Sequence, residues 1–213
     1  MLTKLASALG FKKQEAKIIV IGLDDAGKSC IVNKLKEKKE YNKPPSAASF
    51  EKVGESKFSN SSKKSKPYES TPTVGFKTDE FERNSVKFQV YDMSGQSRYR
   101  NMWETYYQDV EAIIFVVDSS DKLRVCVAKE ELEVLMENKS LLETDSPILF
   151  FANKMDVNGA LSAEECAKEL ELDQIRDRSW HIVSSNGVDG YGIDEGITWL
   201  ANTLKLKARG AYK

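Results

Sequence analysis

Histidine and cysteine are almost missing from this 213-residue chain: there is one histidine and there are three cysteines. The single histidine, His181, sits beside Trp180 in a strand-like stretch, where packing is the expected role rather than catalysis. Cys30, Cys126 and Cys166 are far apart, odd in number and match no metal-ligand spacing. They fit thiols in a reducing compartment, packing as small apolar residues. No apolar run approaches the ~20 residues that cross a bilayer, and the amino end lacks a secretory signal. A cytoplasmic protein is therefore expected. Residue 2 is leucine rather than the glycine that myristoylation needs, and the carboxyl end carries no prenylation cysteine. Net charge is also missing: lysine plus arginine number 32 against 33 acids, a formal −1, so no global attraction to nucleic acid is expected. Any phosphate binding must be local.

What is present is alternation. The segment KIIVIG reads as a buried strand, and a Gly-rich turn and a short helix follow it. Phe76–Phe81 and Val86–Tyr91 alternate around Arg83-Asn84-Ser85, a hairpin signature. Then AIIFVVD, PILFFANK and SWHIVSS read as strands, separated by the helical stretches LRVCVAKEELEVLME and SAEECAKELEL and closed by GIDEGITWLANTLK. Ser162 is the expected cap of the second helix, and Trp199 and Leu200 read as core residues of the last. Lys205, Lys207 and Lys213 read as a solvated tail. Such a pattern predicts an α/β fold with a mainly parallel sheet and helices on both faces, and ligands at the carboxyl ends of the strands.

Two flanking regions stand apart. Residues 1–16 begin MLTKLASALGFKK, with Leu2, Leu5, Ala6 and Leu9 at helical spacing and lysines outside the stripe. This amphipathic helix either docks on the domain or touches a membrane reversibly. Residues 17–213 form the single expected domain, interrupted at about 37–70 by a lysine-, serine- and asparagine-rich stretch expected to be a mobile surface insertion.

Residues 22–29, GLDDAGKS, match G-x-x-x-x-G-K-[ST] between a strand and a helix. Backbone N–H groups of such a loop face a phosphate, Lys28 adds a point charge, and Ser29 offers a hydroxyl to Mg²⁺. The expected nucleotide-binding residues here are Asp24, Asp25, Ala26, Gly27, Lys28, Ser29 and Cys30. After PILFFA come Asn153, Lys154 and Asp156 of an N-K-x-D sequence. A carboxylate accepts from both N1 and N2 of guanine, whereas adenine presents an acceptor at N1; Asp156 therefore favours guanine. Asn153 is placed to tie the base loop to the phosphate loop, and the Lys154 stem to lie over the ring.

With these motifs the chain resembles the Ras-like small GTPases, and GLDDAGKS, PTVGF at 72–76 and DMSGQ at 92–96 narrow that to the Arf and Arf-like branch. Within the branch, YDMSGQSRYRNMWETYY is similar to the ciliary members that recruit the BBSome coat. The resemblance implies a single P-loop GTPase domain with a six-stranded sheet, one strand of it antiparallel. It implies a monomeric GTP/GDP switch with Mg²⁺, peripheral membrane contact through the first helix, and location at the cilium or basal body. Ser29 and Thr73 would ligate Mg²⁺, with Asp92 acting through water. Gly95 would offer its N–H to the γ-phosphate, having no Cβ, and Gln96 would orient the attacking water. Asn186 and Gly187 align with the loop whose backbone contacts guanine O6, or are an ordinary strand-to-helix turn. Phe76, Tyr99, Arg100, Trp103, Tyr106 and Tyr107 have the composition of an effector hot spot. An exchange factor and an activating protein are implied without being identified, and with no arginine evident as a finger in cis, intrinsic hydrolysis is expected to be slow. The insertion is roughly twenty residues beyond the family pattern, a length that costs little stability. Two alternatives remain open on sequence: an interaction scaffold with negligible turnover, and a P-loop phosphotransferase.

Overall fold

The structure is a computed structural model that describes residues 14–37 and 72–210. The amphipathic segment and the insertion thus fall outside the described residues, except at their edges. Those edges correct the expected boundaries. Gln14, Glu15 and Ala16 are not helical; they open strand β1, Gln14–Ile21, and pair with Val86, Lys87 and Phe88. Glu37 ends helix α1, Lys28–Lys36, its N–H returning to the Asn33 carbonyl.

The expected hairpin forms from β2, Phe76–Arg83, and β3, Val86–Met93, which are antiparallel with Arg83 opposite Val86. Asn84 and Ser85 both take positive φ, 49° and 61°, the geometry of the tight turn that matches strand twist. A 3₁₀ helix, Ser97–Asp109, leads to β4, Ala112–Asp118. Helices α2, Lys122–Glu137, and α3, Lys139–Leu142, precede β5, Ile148–Asn153. Helix α4, Ala163–Glu169, is held by a capping box in which Ser162 and Glu165 exchange bonds, and it stops short of the predicted end. Strand β6, Trp180–Ser184, and α5, Ile193–Ala208, complete the chain.

The six strands lie in the order β2-β3-β1-β4-β5-β6, all parallel except β2. The order reverses at β1, whose carboxyl end is the switch point where such sheets bind ligands. Alternation along the strands divides the core. Ile18 and Val20 join Ile31 and Leu35 of α1 and Ile197, Leu200 and Leu204 of α5. Ile19 and Ile21 join Trp103, Tyr107, Val125, Leu132 and Cys166 on the opposite face.

Leu200 is fully buried, Trp199 is partly so, and His181 stacks on Trp199 with ring centres 5.3 Å apart, in the packing role expected. Burial and the carboxylates of Glu165 and Glu169 push the Cys166 thiol up to about 11, so it is an inert packing group. Cys126 departs from that reading, being exposed on α2. Lys205 and Lys207 are not a free tail. Lys207 pairs with Asp145 at 2.5 Å and Lys205 bonds the Asn84 carbonyl, fastening α5 to two turns.

Helix α5 approaches β5 closely at Gly196, where an added Cβ would lie 2.8 Å from two ring carbons of Phe151 and 3.2 Å from Leu149. Gly196→Val is expected to cost about 2 kcal/mol by overpacking. Urea unfolding checks it, with the midpoint moving and the slope unchanged.

Candidate functional site

The turn after β1 lies against the carboxyl ends of β3, β4 and β5. Gly27 takes φ 90°, and a Cβ there would sit 2.3 Å from the Asn153 amide nitrogen, so no other residue allows this approach. Asn153, 2% exposed, uses that proximity: its Nδ2 donates to the Ala26 carbonyl at 2.8 Å. Its Oδ1 accepts from the Gly187 N–H at 2.9 Å and from Ser185 Oγ at 3.3 Å. Three segments, from 26 to 187, meet on one side chain.

Lys28 is 6% exposed and points into the loop, donating to the carbonyls of Gly22 at 2.9 Å and Leu23 at 2.7 Å. Burial lowers its pKa to about 8, with Asp92 and Asp24 opposing the shift. A buried cation among turned-in carbonyls is poised for an anion.

Ser29, Thr73 and Asp92, distant in sequence, converge. Ser29 Oγ donates to Asp92 Oδ2 at 2.6 Å and lies 3.1 Å from Thr73 Oγ1. Asp92 Oδ1 is buried with no hydrogen-bond partner, and burial raises the carboxyl's pKa despite the Ser29 bond. Two hydroxyls and a carboxylate with an unused oxygen could hold a hard divalent cation. No group of three or more His, Cys, Asp or Glu side chains suited to a metal occurs among the described residues.

The second predicted motif, DMSGQ, folds over the loop. The Asp24 N–H donates to the Gly95 carbonyl at 3.1 Å, and a Cβ on Gly95 would fall 2.3 Å from Asp24 N. Gly95 is not among the glycines of positive φ, so close approach rather than backbone freedom is what requires glycine. Ser94, 2% exposed, donates its N–H to Gly75 at 2.8 Å and takes the Gln96 N–H on its hydroxyl at 3.4 Å. Its side chain thus steadies the backbone on which Gln96 sits. Gln96 borders the cleft, its Oε1 held by Arg98 Nε at 3.1 Å. The cleft, about 270 Å³, is lined by Asp24, Asp25, Gly27, Lys28, Ser29, Cys30, Thr73, Gly95 and Gln96 among others.

The base-side residues are partly as expected. Lys154, at φ 66°, pairs with Asp118 at 2.8 Å and Asp25 at 3.2 Å, which ties phosphate and base loops a second time. Asp156 is exposed at the same edge. The loop at Asn186 and Gly187 behaves as a turn. The N–H groups of Asn186, Gly187 and Val188 go to Tyr191 O, Asn153 Oδ1 and Asn186 Oδ1, rather than facing outward to a guanine carbonyl.

The expected partner face shrinks. Trp103 and Tyr107 are 2% and 3% exposed and belong to the core, with the Trp103 indole N–H donating to the Ser94 carbonyl at 3.0 Å. Arg100 turns inward to Gly95 O at 2.8 Å and Glu131 at 2.6 Å. Phe76 stays open, its ring 5.1 Å from that of Tyr106, which also meets Tyr91; Tyr99 lies under the Arg98 guanidinium. The sequence reading missed Asp118 and Arg124. Asp118 closes β4 and Asp92 is the penultimate residue of β3, and the strand-end rule applied evenly would have found Asp118. Arg124, which reaches Asp24 from 100 residues away, carried no local signal.

Comparisons with known proteins agree with this geometry. The ADP-ribosylation factor family profile matches residues 2–59 and 50–204. ADP-ribosylation factor-like protein 6 of Danio rerio is 42% identical over 96% of this chain and 97% of its own length. ADP-ribosylation factor-like protein 1 of Saccharomyces cerevisiae is 38% identical over 90% of this chain and 89% of its own. The solved Arl6 BBS3 small GTPase of Trypanosoma brucei, with the bound nucleotide analogue GppNp, superposes with a TM-score of 0.72 at 34% identity, covering 90% of this chain and 98% of that one. The phosphate loop, the folded-over second motif and near full-length relatives lead to one assignment: the chain belongs to the ADP-ribosylation factor family of small GTPases, GTP-binding switches that hydrolyse GTP.

Proposed function

We propose that this GTPase holds GTP in the cleft between residues 24–30 and 94–96, with Mg²⁺ at Ser29 and Thr73 and, through water, at Asp92, and recruits a coat-type effector to a membrane. The convergence of those three side chains across 44 and 63 residues of sequence carries the proposal, together with the unused buried oxygen of Asp92. Mg²⁺ there would offset phosphate charge during hydrolysis. Lys28 leaves its loop carbonyls for the phosphates, and the backbone N–H groups of residues 25–30 face them. Thr73 belongs to the segment before β2 and joins the set only when that segment is in place, which makes it the sensor of the third phosphate. Gly95 offers its N–H to that phosphate, and Gln96 orients the attacking water. The Arg98 bond engages the Gln96 oxygen that the water needs, which supports slow intrinsic turnover and the need for an activating protein.

Asp156 selects guanine and the Lys154 stem covers the base. The outward face of Phe76, Tyr99 and Tyr106 receives the effector. Likeness to an Arl6 BBS3 small GTPase supports a BBSome subunit as that effector and the cilium as the location. The amphipathic pattern of residues 2–9 supports peripheral membrane contact, released as the β2–β3 hairpin shifts with nucleotide. No helix among the described residues is long and apolar enough to cross a membrane.

Gln96→Leu is expected to slow single-turnover GTP hydrolysis at least about tenfold with affinity unchanged, and to retain in pull-downs partners that the GDP-loaded protein does not hold. An unchanged rate removes Gln96 from the mechanism. Asp156→Asn replaces one of two acceptors with a donor, and GTP affinity is expected to fall about 100-fold, read by displacement of a fluorescent nucleotide. Equal binding of ATP and GTP by the unmodified protein would overturn the assignment of the base.

A further inference from the structure

Asp24 is chemically out of place in a phosphate cleft. Asp24 lines the same space as Lys28, and a bare negative charge beside it opposes an anionic ligand. Two arginines from elsewhere in the chain answer it. Arg124, in the first turn of α2, reaches Asp24 Oδ1 at 2.9 Å and the Asp24 carbonyl at 2.6 Å. Arg100, on the 3₁₀ helix, lies 3.5 Å from Oδ1 and is itself anchored to Glu131 at 2.6 Å and the Gly95 carbonyl at 2.8 Å. The group is closed: two carboxylates, two guanidiniums, no net charge, drawn from three separate elements.

Its position along the cleft matters as much as its charge. Asp24 bonds through its N–H to Gly95, and Gly95 and Gln96 are the residues assigned above to the terminal phosphate. Arg100 touches both the Asp24 carboxylate and the Gly95 carbonyl, so charge at Asp24 is placed to act mainly on a third phosphate. We propose that Asp24, with Arg124 and Arg100, is a specificity-determining group that sets how strongly the cleft prefers a triphosphate over a diphosphate. The carboxylate disfavours the extra charge of the triphosphate, and the arginines cancel that penalty. The balance between them, rather than either sign alone, fixes the preference. This rests on the reading that the cleft holds the phosphate chain of a guanine nucleotide.

The test is a double-mutant cycle of Asp24→Asn and Arg124→Gln, reading dissociation constants for GDP and for a non-hydrolysable GTP analogue. Asparagine keeps the shape of Asp24, and thermal melts verify that each variant folds. Arg124→Gln uncovers the carboxylate, so the analogue-to-GDP preference is expected to fall about threefold, the scale of a partly exposed ion pair. Asp24→Asn leaves the arginines uncancelled, so the preference rises by a similar factor. The double variant returns to within about twofold of the unmodified protein, and both single effects shrink in high salt. If GDP and analogue affinities change in parallel, or the double variant is as impaired as Arg124→Gln, the pair only braces the loop and the proposal fails. If the unmodified protein binds neither nucleotide, the reading of the cleft fails beneath it.

Discussion

The buried amide of Asn153 is the interaction on which the site depends. It closes a bond to the phosphate loop with its nitrogen and takes two bonds from the loop after β6 with its oxygen. Its own backbone carbonyl receives both the N–H and the hydroxyl of Ser119. Removing that amide strands several buried polar groups at once, each costing about 1–3 kcal/mol, so the loops have no cheap alternative arrangement. The strand behind it supplies the rigidity. β5 is buried along its whole length, with Ile148 through Ala152 fully inaccessible.

Around that fixed point the site stores polar tension. Lys28 and Asp92 are both largely removed from water, and burial works against the charged form of each. Neither is fully at rest: the lysine makes do with loop carbonyls, and one oxygen of the aspartate has no partner. Groups held in this way gain more from an ionic ligand than solvated ones, because their desolvation has already occurred in folding. The second motif is braced from behind. Trp103, Arg100 and the Asp24 N–H grip the carbonyls of Ser94 and Gly95.

Most of the fold was readable from periodicity. The strands AIIFVVD and PILFFAN are short, β-branched or aromatic and bounded by breakers, and they fall where expected. The phosphate loop and Asn153 were readable from motifs that each follow a strand, and the meeting of Ser29, Thr73 and Asp92 was expected from the family resemblance. What escaped depended on which way a helix faces. Trp103 and Tyr107 have hot-spot composition, yet the 3₁₀ helix rolls them onto Ile19 and Ile21, and no heptad or 3.6-residue rule governs a three-residue turn. Arg100 looked like a surface charge because its partners, Glu131 and Asp24, are not neighbours in sequence. Lys205 and Lys207 looked like tail residues for the same reason.

The sheet also partitions the molecule. Ile18 and Val20 serve one apolar cluster and Ile19 and Ile21 the other, with no side chain shared between them. The strand backbones lie between the two clusters, and their carboxyl ends carry the site. The α5 face is therefore free to drift in composition over evolutionary time, as long as the loops at that one edge keep their spacing. A lineage could remodel the α5 side and acquire new associations without renegotiating how the nucleotide is held, whereas α2 is tied to the phosphate loop through Arg124 and Asp24.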